Sequence, residues 1–94
     1  MKHHIIVKYT EEVQDKQALL GQIKELYAGA AEIDGVRGVE FKQNCIAREN
    51  RYDLMIVLEM DEEALPSWDA SEIHHRWKDE YGHLVAKKAI FDCE

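Results

Sequence analysis

The stretch YDLMIVLEM, Tyr52 to Met60, decides the fold. Side chains alternate along a β-strand, so Leu54, Ile56 and Leu58 point one way while Met55 and Val57 point the other. Both sets are apolar, and a strand of this kind must be covered on both sides. A chain of 94 residues supports one modest core, hence a single domain over residues 1–94. Its own helices can cover one face of a sheet. An open sheet exposing a second apolar face is an association site, which predicts a homodimer packed sheet to sheet.

Upstream of this strand, the polar link ARENR suits a hairpin to a second strand, VRGVEFKQNCI. That strand follows EIDGVRG, in which Gly35 tolerates positive φ and breaks the preceding helix. Leu19, Leu20, Ile23, Leu26, Tyr27 and Ala30 recur at three- and four-residue spacing, which predicts a helix over about residues 15–31. HHIIVKY, residues 3–9, is short, β-branched and aromatic, and opens the domain as a strand. Downstream, DEEALPSW begins a second helical region in which Pro66 forbids one unbroken helix. Asp69 or Ser71 can cap a fresh turn into EIHHRWKDEYGHL, which Gly82 weakens or ends. VAKKAIFDCE is a final strand, with Lys87 and Lys88 at an edge where they discourage aggregation. The order β-α-β-β-α-β is the ferredoxin-like arrangement, an α+β fold with a four-stranded antiparallel sheet and both helices on one face.

Composition narrows the function classes. Twelve basic against nineteen acidic residues give a net charge of -7, so nucleic acid and anionic membrane are poor partners. No apolar run approaches the roughly 20 residues that span a bilayer, and MKHHIIVKYT lacks the apolar segment of a signal peptide. A cytoplasmic protein is expected. Cys45 and Cys93 show no CxxC spacing and are expected to be free thiols.

Several stretches together resemble the stress-responsive α/β-barrel domain (Dabb) family. KHHIIVKY is similar to its opening strand, EIDGVRGVEF to its turn and second strand, YDLMIVLEMDEEAL to its central strand and acidic helix start, and AIFDCE to its closing strand. The resemblance covers essentially the whole chain and implies a dimeric α/β barrel. The second helix of that family commonly carries an aromatic residue followed by HPxH. In WDASEIH, Trp68 replaces the usual tyrosine, Ser71 and Glu72 stand where His-Pro would be, and His74 matches the second histidine. In the family's polyketide cyclases the tyrosine and that histidine perform acid-base chemistry over a pocket between sheet and helices. The resemblance therefore implies His74 as the catalytic candidate, His3 as a second pocket histidine and Trp68 as a wall. Ile5, Val7, Ile56 and Val85 complete the expected ligand-binding lining, beside a small and partly apolar molecule. No cofactor and no metal is expected.

The side-chain chemistry sets limits on that site. Histidine, with an ordinary pKa of about 6.5, can act as a general base at neutral pH, whereas an indole N–H donates without titrating. A two-residue acid-base pair is therefore broken at Trp68. His75 lies about 100° further round the helix and is expected in solvent. His3, Ile5, Val7 and Tyr9 share one face of the opening strand, and if it faces the helices His3 could meet His74. His83 follows His74 by nine residues, about 13 Å along a helix axis, which argues against a shared metal. Tyr27, Trp68, Trp77, Tyr81 and Phe91 read first as core aromatics.

Three readings stay open at this point. The leading one is a small dimeric Dabb-type protein, stress-related by resemblance, that binds a small molecule. A second is an enzyme using His74, of polyketide-cyclase or cofactor-free monooxygenase type. A haem-degrading relative would need an asparagine on the opening strand, and Asn44 lies on the second. The third is a purely structural, stress-associated oligomer.

Overall fold

The computed structural model describes residues 1–94. Strand β1 covers Lys2–Tyr9, helix α1 Lys16–Leu26, β2 Val36–Gln43, β3 Leu54–Met60, α2 Leu65–Asp69, α3 Glu72–Tyr81 and β4 Val85–Cys93. The four strands form one open antiparallel sheet in the order β2-β3-β1-β4, so β2 and β4 are its edges. This is the expected ferredoxin-like arrangement. A single chain does not close a barrel.

The register explains the two-sided apolar strand. Along β1, His3, Ile5, Val7 and Tyr9 are buried and face the helices, opposite Leu58, Ile56 and Leu54 of β3 for the first three. Met60 completes the buried row on β3. Met55 and Val57 point away from the helices, level with Ile6 and His4 of β1, and Phe91 of β4 stands beside His4 on the same side. Phe91 is 60% exposed, so this outer face carries large apolar side chains that the helices never reach.

The first helical segment follows its expected period but changes pitch. Asp15 caps α1 by accepting from the Ala18 N–H at 3.0 Å, and Leu19, Leu20, Ile23 and Leu26 are its buried face. From Tyr27 to Glu32 the chain winds as a 3₁₀-helix rather than continuing the α-helix expected to residue 31. In a 3₁₀-helix residues three apart lie on one face. Tyr27 and Ala30 are such a pair, and both are fully buried. Gly35 then turns the chain with φ of +85°, the only positive φ in the molecule.

The second helical region is broken, as expected, and the new helix starts at one of the two expected caps. Pro66 sits in the first turn of α2, where its missing N–H costs no helical hydrogen bond. The break falls at Ala70 and Ser71. Ser71, not Asp69, is the N-cap of α3: its Oγ accepts from the His74 N–H at 3.2 Å and donates to the Trp68 carbonyl at 2.7 Å. One hydroxyl thus ties the end of α2 to the start of α3. The interruption leaves no space at Trp68, which is fully buried within α2.

Candidate functional site

The short α2–α3 corner positions the two residues that the sequence singles out. Trp68 packs its ring 5.3 Å from that of His74 and 5.7 Å from that of Tyr27. Tyr27 in turn meets Trp77 of α3 and Phe41 of β2, each at 5.8 Å and edge to face. The cluster joins the first helical segment, both later helices and the sheet. It also holds two polar atoms without partners: the Tyr27 hydroxyl and the Trp68 indole nitrogen are buried and make no hydrogen bond. Burial drives the Tyr27 pKa far above its ordinary value of 10.0, so the phenol stays protonated.

His74 is half-exposed above this cluster, and its Nδ1 lies 2.9 Å from the Asp69 carbonyl oxygen. A carbonyl only accepts, so Nδ1 carries the proton and Nε2 keeps its lone pair in the neutral ring. Burial lowers the pKa below 6.5. Asp69 opposes that shift through its carbonyl and its charge, while Lys78 and Lys88 reinforce it by repulsion. At neutral pH His74 is therefore an uncharged imidazole of fixed tautomer with an unengaged basic nitrogen. Its neutral form is favoured by folding, so its contribution to stability is present above pH 6.5 and is lost as pH falls through the lowered folded value. An NMR titration of the His74 ring protons is expected to give a midpoint below 6.5; a midpoint at or above it would contradict this environment.

His3 is the single buried polar residue, 5% exposed. Its Nδ1 donates to the Asp92 carboxylate of the neighbouring strand β4 at 2.5 Å, and His3 and Asp92 are register partners. The carboxylate orients the ring and leaves Nε2 without a partner in the chain. His3 and His74 do not meet. The His3 ring is held by Asp92 and the His74 ring by the Asp69 carbonyl, and no hydrogen bond or ring contact joins the two. The two imidazoles work with separate partners.

The rest of the expected lining divides in two. Ile5, Val7, Ile56 and Trp68 belong to the packed core and line none of the principal clefts. Val85 borders a groove of about 310 Å³ together with Trp77, Gly82 and Lys88. Sequence reasoning missed two residues of this site. Asp92 is 89 positions from His3, a partnership no local pattern announces. Tyr27 was legible as a core aromatic, but not as a buried hydroxyl beside an equally unpaired indole.

That hydroxyl carries a prediction. An unpaired buried polar group costs about 1–3 kcal/mol, so Tyr27→Phe, which keeps the ring and removes the oxygen, is expected to raise stability by about 1 kcal/mol in urea denaturation. A loss of stability would mean that the hydroxyl is bound to something in solution.

No protein-family sequence model matches the chain, and no curated protein matches it in sequence. Solved structures do match. A dimeric protein of unknown function with a ferredoxin-like fold from Bacteroides fragilis superposes with a TM-score of 0.77 at 18% identity, over 99% of this chain and 93% of that one. A Dabb family protein with a ferredoxin-like fold from Mesorhizobium loti gives 0.73 at 15% identity, over 99% and 93%. A hydroxynitrile lyase from Passiflora edulis gives 0.72 at 12% identity, over 96% and 87%. Likeness at this level of identity is likeness of fold, and the chain is a ferredoxin-like domain of the form that a Dabb family protein also takes.

Proposed function

We propose that this chain is a homodimeric Dabb-type protein that binds a small, partly apolar molecule on the helix-facing side of its sheet, with His74 as the residue that meets the ligand's polar group. The observation that carries the reading is the state of His74: neutral, fixed in one tautomer by Asp69, with Nε2 free beside an aromatic cluster. Such a nitrogen accepts a hydrogen bond from a ligand hydroxyl and is equally able to remove its proton. The dimer reading rests on the outer face around Ile6, Met55 and Phe91, which the helices leave uncovered, and on the fold's occurrence in a dimeric protein. Free, exposed Cys45 and Cys93 agree with a reducing cytoplasm, and a stress-associated role follows from the family resemblance.

The test is thermal denaturation of wild type and His74→Ala with uncharged phenols and thioester analogues, since a ligand of the folded state raises Tm. The expected result is an upward shift in wild type that His74→Ala abolishes, with sedimentation at twice the chain mass. No shift from any compound, with His74→Ala only less stable, would favour the purely structural oligomer.

An enzymatic version of the same site is a proton-transfer reaction. A hydroxynitrile lyase shares the fold, and cleavage of a hydroxynitrile requires loss of a hydroxyl proton, which a neutral imidazole accepts. Release of cyanide from an aromatic hydroxynitrile, abolished in His74→Ala, would select this version.

A further inference from the structure

Three lysines border one groove where α3 gives way to β4. Lys78 lies in the last turn of α3, and Lys87 and Lys88 are successive residues of the edge strand β4. All three line the 310 Å³ groove, whose other walls are Trp77, Gly82, Val85 and Ala86. The lining contains no acidic residue. None of the three ammonium groups forms an ion pair or a hydrogen bond, although the chain as a whole carries a charge of -7 and its acids outnumber its bases. Two like charges on one groove, those of Lys78 and Lys88, repel one another, an arrangement that an anion relieves.

Edge protection accounts for part of this pattern but not for its direction. Lys87 pairs with Lys8 and points to the outer face, as an edge guard should. Lys88 pairs with buried Val7, so it points to the helix-facing side and toward α3. Lys78 also complements the C-terminal end of the α3 dipole, and it lines the same groove as Lys88. Between them the floor is apolar: Trp77 stacks on Tyr81 at 5.8 Å, and Val85 packs against the core. Gly82 has helical dihedrals, and a Cβ built there meets nothing within 4 Å, so the groove is open at that point.

We propose that this groove binds a small anion with a flat apolar body, an aryl or acyl carboxylate or phosphate, whose charge lies between Lys78 and Lys88 and whose body rests on Trp77 and Val85. The groove is a second site, since His74 is not among its lining residues, and the proposal goes beyond the ligand-binding reading above without resting on it. It is tested by direct binding, apart from any proton transfer.

Calorimetric titrations with 2-naphthoate, 2-naphthyl phosphate and the neutral 2-naphthamide, with amide shifts mapped by NMR, make that test. Naphthoate or naphthyl phosphate is expected to bind, the tighter of the two naming the head group, and naphthamide to bind at least about tenfold more weakly. Shift changes are expected at residues 77–88. Lys78→Gln with Lys88→Gln should weaken anion binding by about tenfold or more. Gly82→Leu, whose side chain enters the open groove, should block all three compounds while the chain stays folded. His74 is not among the residues that line the groove, so shift changes at residues 77–88 without change at the His74 ring separate this site from the one proposed at His74. Equal binding of the amide, unchanged affinity in the double lysine variant, shifts elsewhere in the chain, or no binding at millimolar concentration would each overturn it.

Discussion

Trp68→Ala is expected to lower stability by about 3–5 kcal/mol, the range for removing a large buried aromatic. Such a loss is a large part of the roughly 5–15 kcal/mol that holds a domain of this size together, and corresponds to a fall in Tm of about 15–30 °C. The reason is position as much as size. Trp68 is fully buried, it contacts both Tyr27 and His74, and its carbonyl accepts from the Ser71 hydroxyl that starts α3. Deleting the indole therefore opens a cavity at the point where the first helical segment and both later helices meet. Trp68→Phe separates the causes, because it keeps an aromatic body and removes the unpaired N–H, and it should lose well under half as much. Urea denaturation checks both; a loss below about 1 kcal/mol for Trp68→Ala would place the indole outside the cooperative core.

Gly35→Ala is expected to cost at least about 2 kcal/mol, from two sources that act together. An L-residue held in the left-handed region loses about 1–2 kcal/mol, and Gly35 has φ of +85°. An added Cβ would also lie 2.7 Å from the Ala64 Cβ, closer than non-bonded carbons approach. Neither side of that contact can yield easily, because the Gly35 carbonyl accepts from the Asp61 N–H at 2.8 Å and Ala64 is buried in the turn preceding α2. Gly21→Ala is the control. Gly21 lies inside α1, exposed, with nothing within 4 Å of a built Cβ, so the same substitution there should stabilise by up to about 1 kcal/mol. Opposite signs at the two glycines, read by thermal denaturation, are the expected outcome; equal signs would show that the backbone at Gly35 is free to relax.

Much of this architecture was legible because it is local. The alternation in Leu54–Met60, the three-and-four spacing from Leu19 to Ala30 and the glycine after Asp34 each record a backbone period or a backbone dihedral, and each appears where the pattern places it except that the helix tightens to 3₁₀ from Tyr27. Ser71 was legible as one of two caps, since a hydroxyl before an apolar-periodic segment satisfies a free helical N–H. Pro66 rightly signalled that the region is not one helix, and it stands in the first turn of α2, so the break falls after it, at the Ser71 cap.

The site was harder to read, because its partnerships are not local. Alternation put His3 on the same face as Ile5 and Val7, and the structure agrees. Which residue would stand beside His3 depends on the strand order and on the register of β1 against β4, neither of which leaves a mark in a single sequence. Asp92 therefore reads as an unremarkable terminal acid until the strands are paired. His74 was picked out by resemblance, yet its tautomer follows from the Asp69 carbonyl, a backbone atom that no side-chain motif encodes.

The pairing of β1 with β4 has a further consequence, for the order of events in folding. Lys2 stands opposite Cys93, and His3 opposite Asp92, so the central strand is completed only by a segment some 90 positions away. Closing so long a loop costs entropy before any contact across it is rewarded, and topologies rich in such contacts fold slowly. The hairpin of β2 and β3 closes over a far shorter loop. A state in which that hairpin and α1 are formed while β4 is still free would lack the His3–Asp92 pair and the lysine groove, and it would expose β1 as a temporary sheet edge. The face that bears the His3–Asp92 pair and the lysines of β4 would then be the last part of this molecule to exist, and the interval before β4 docks is when neighbouring chains could most easily add a strand in its place.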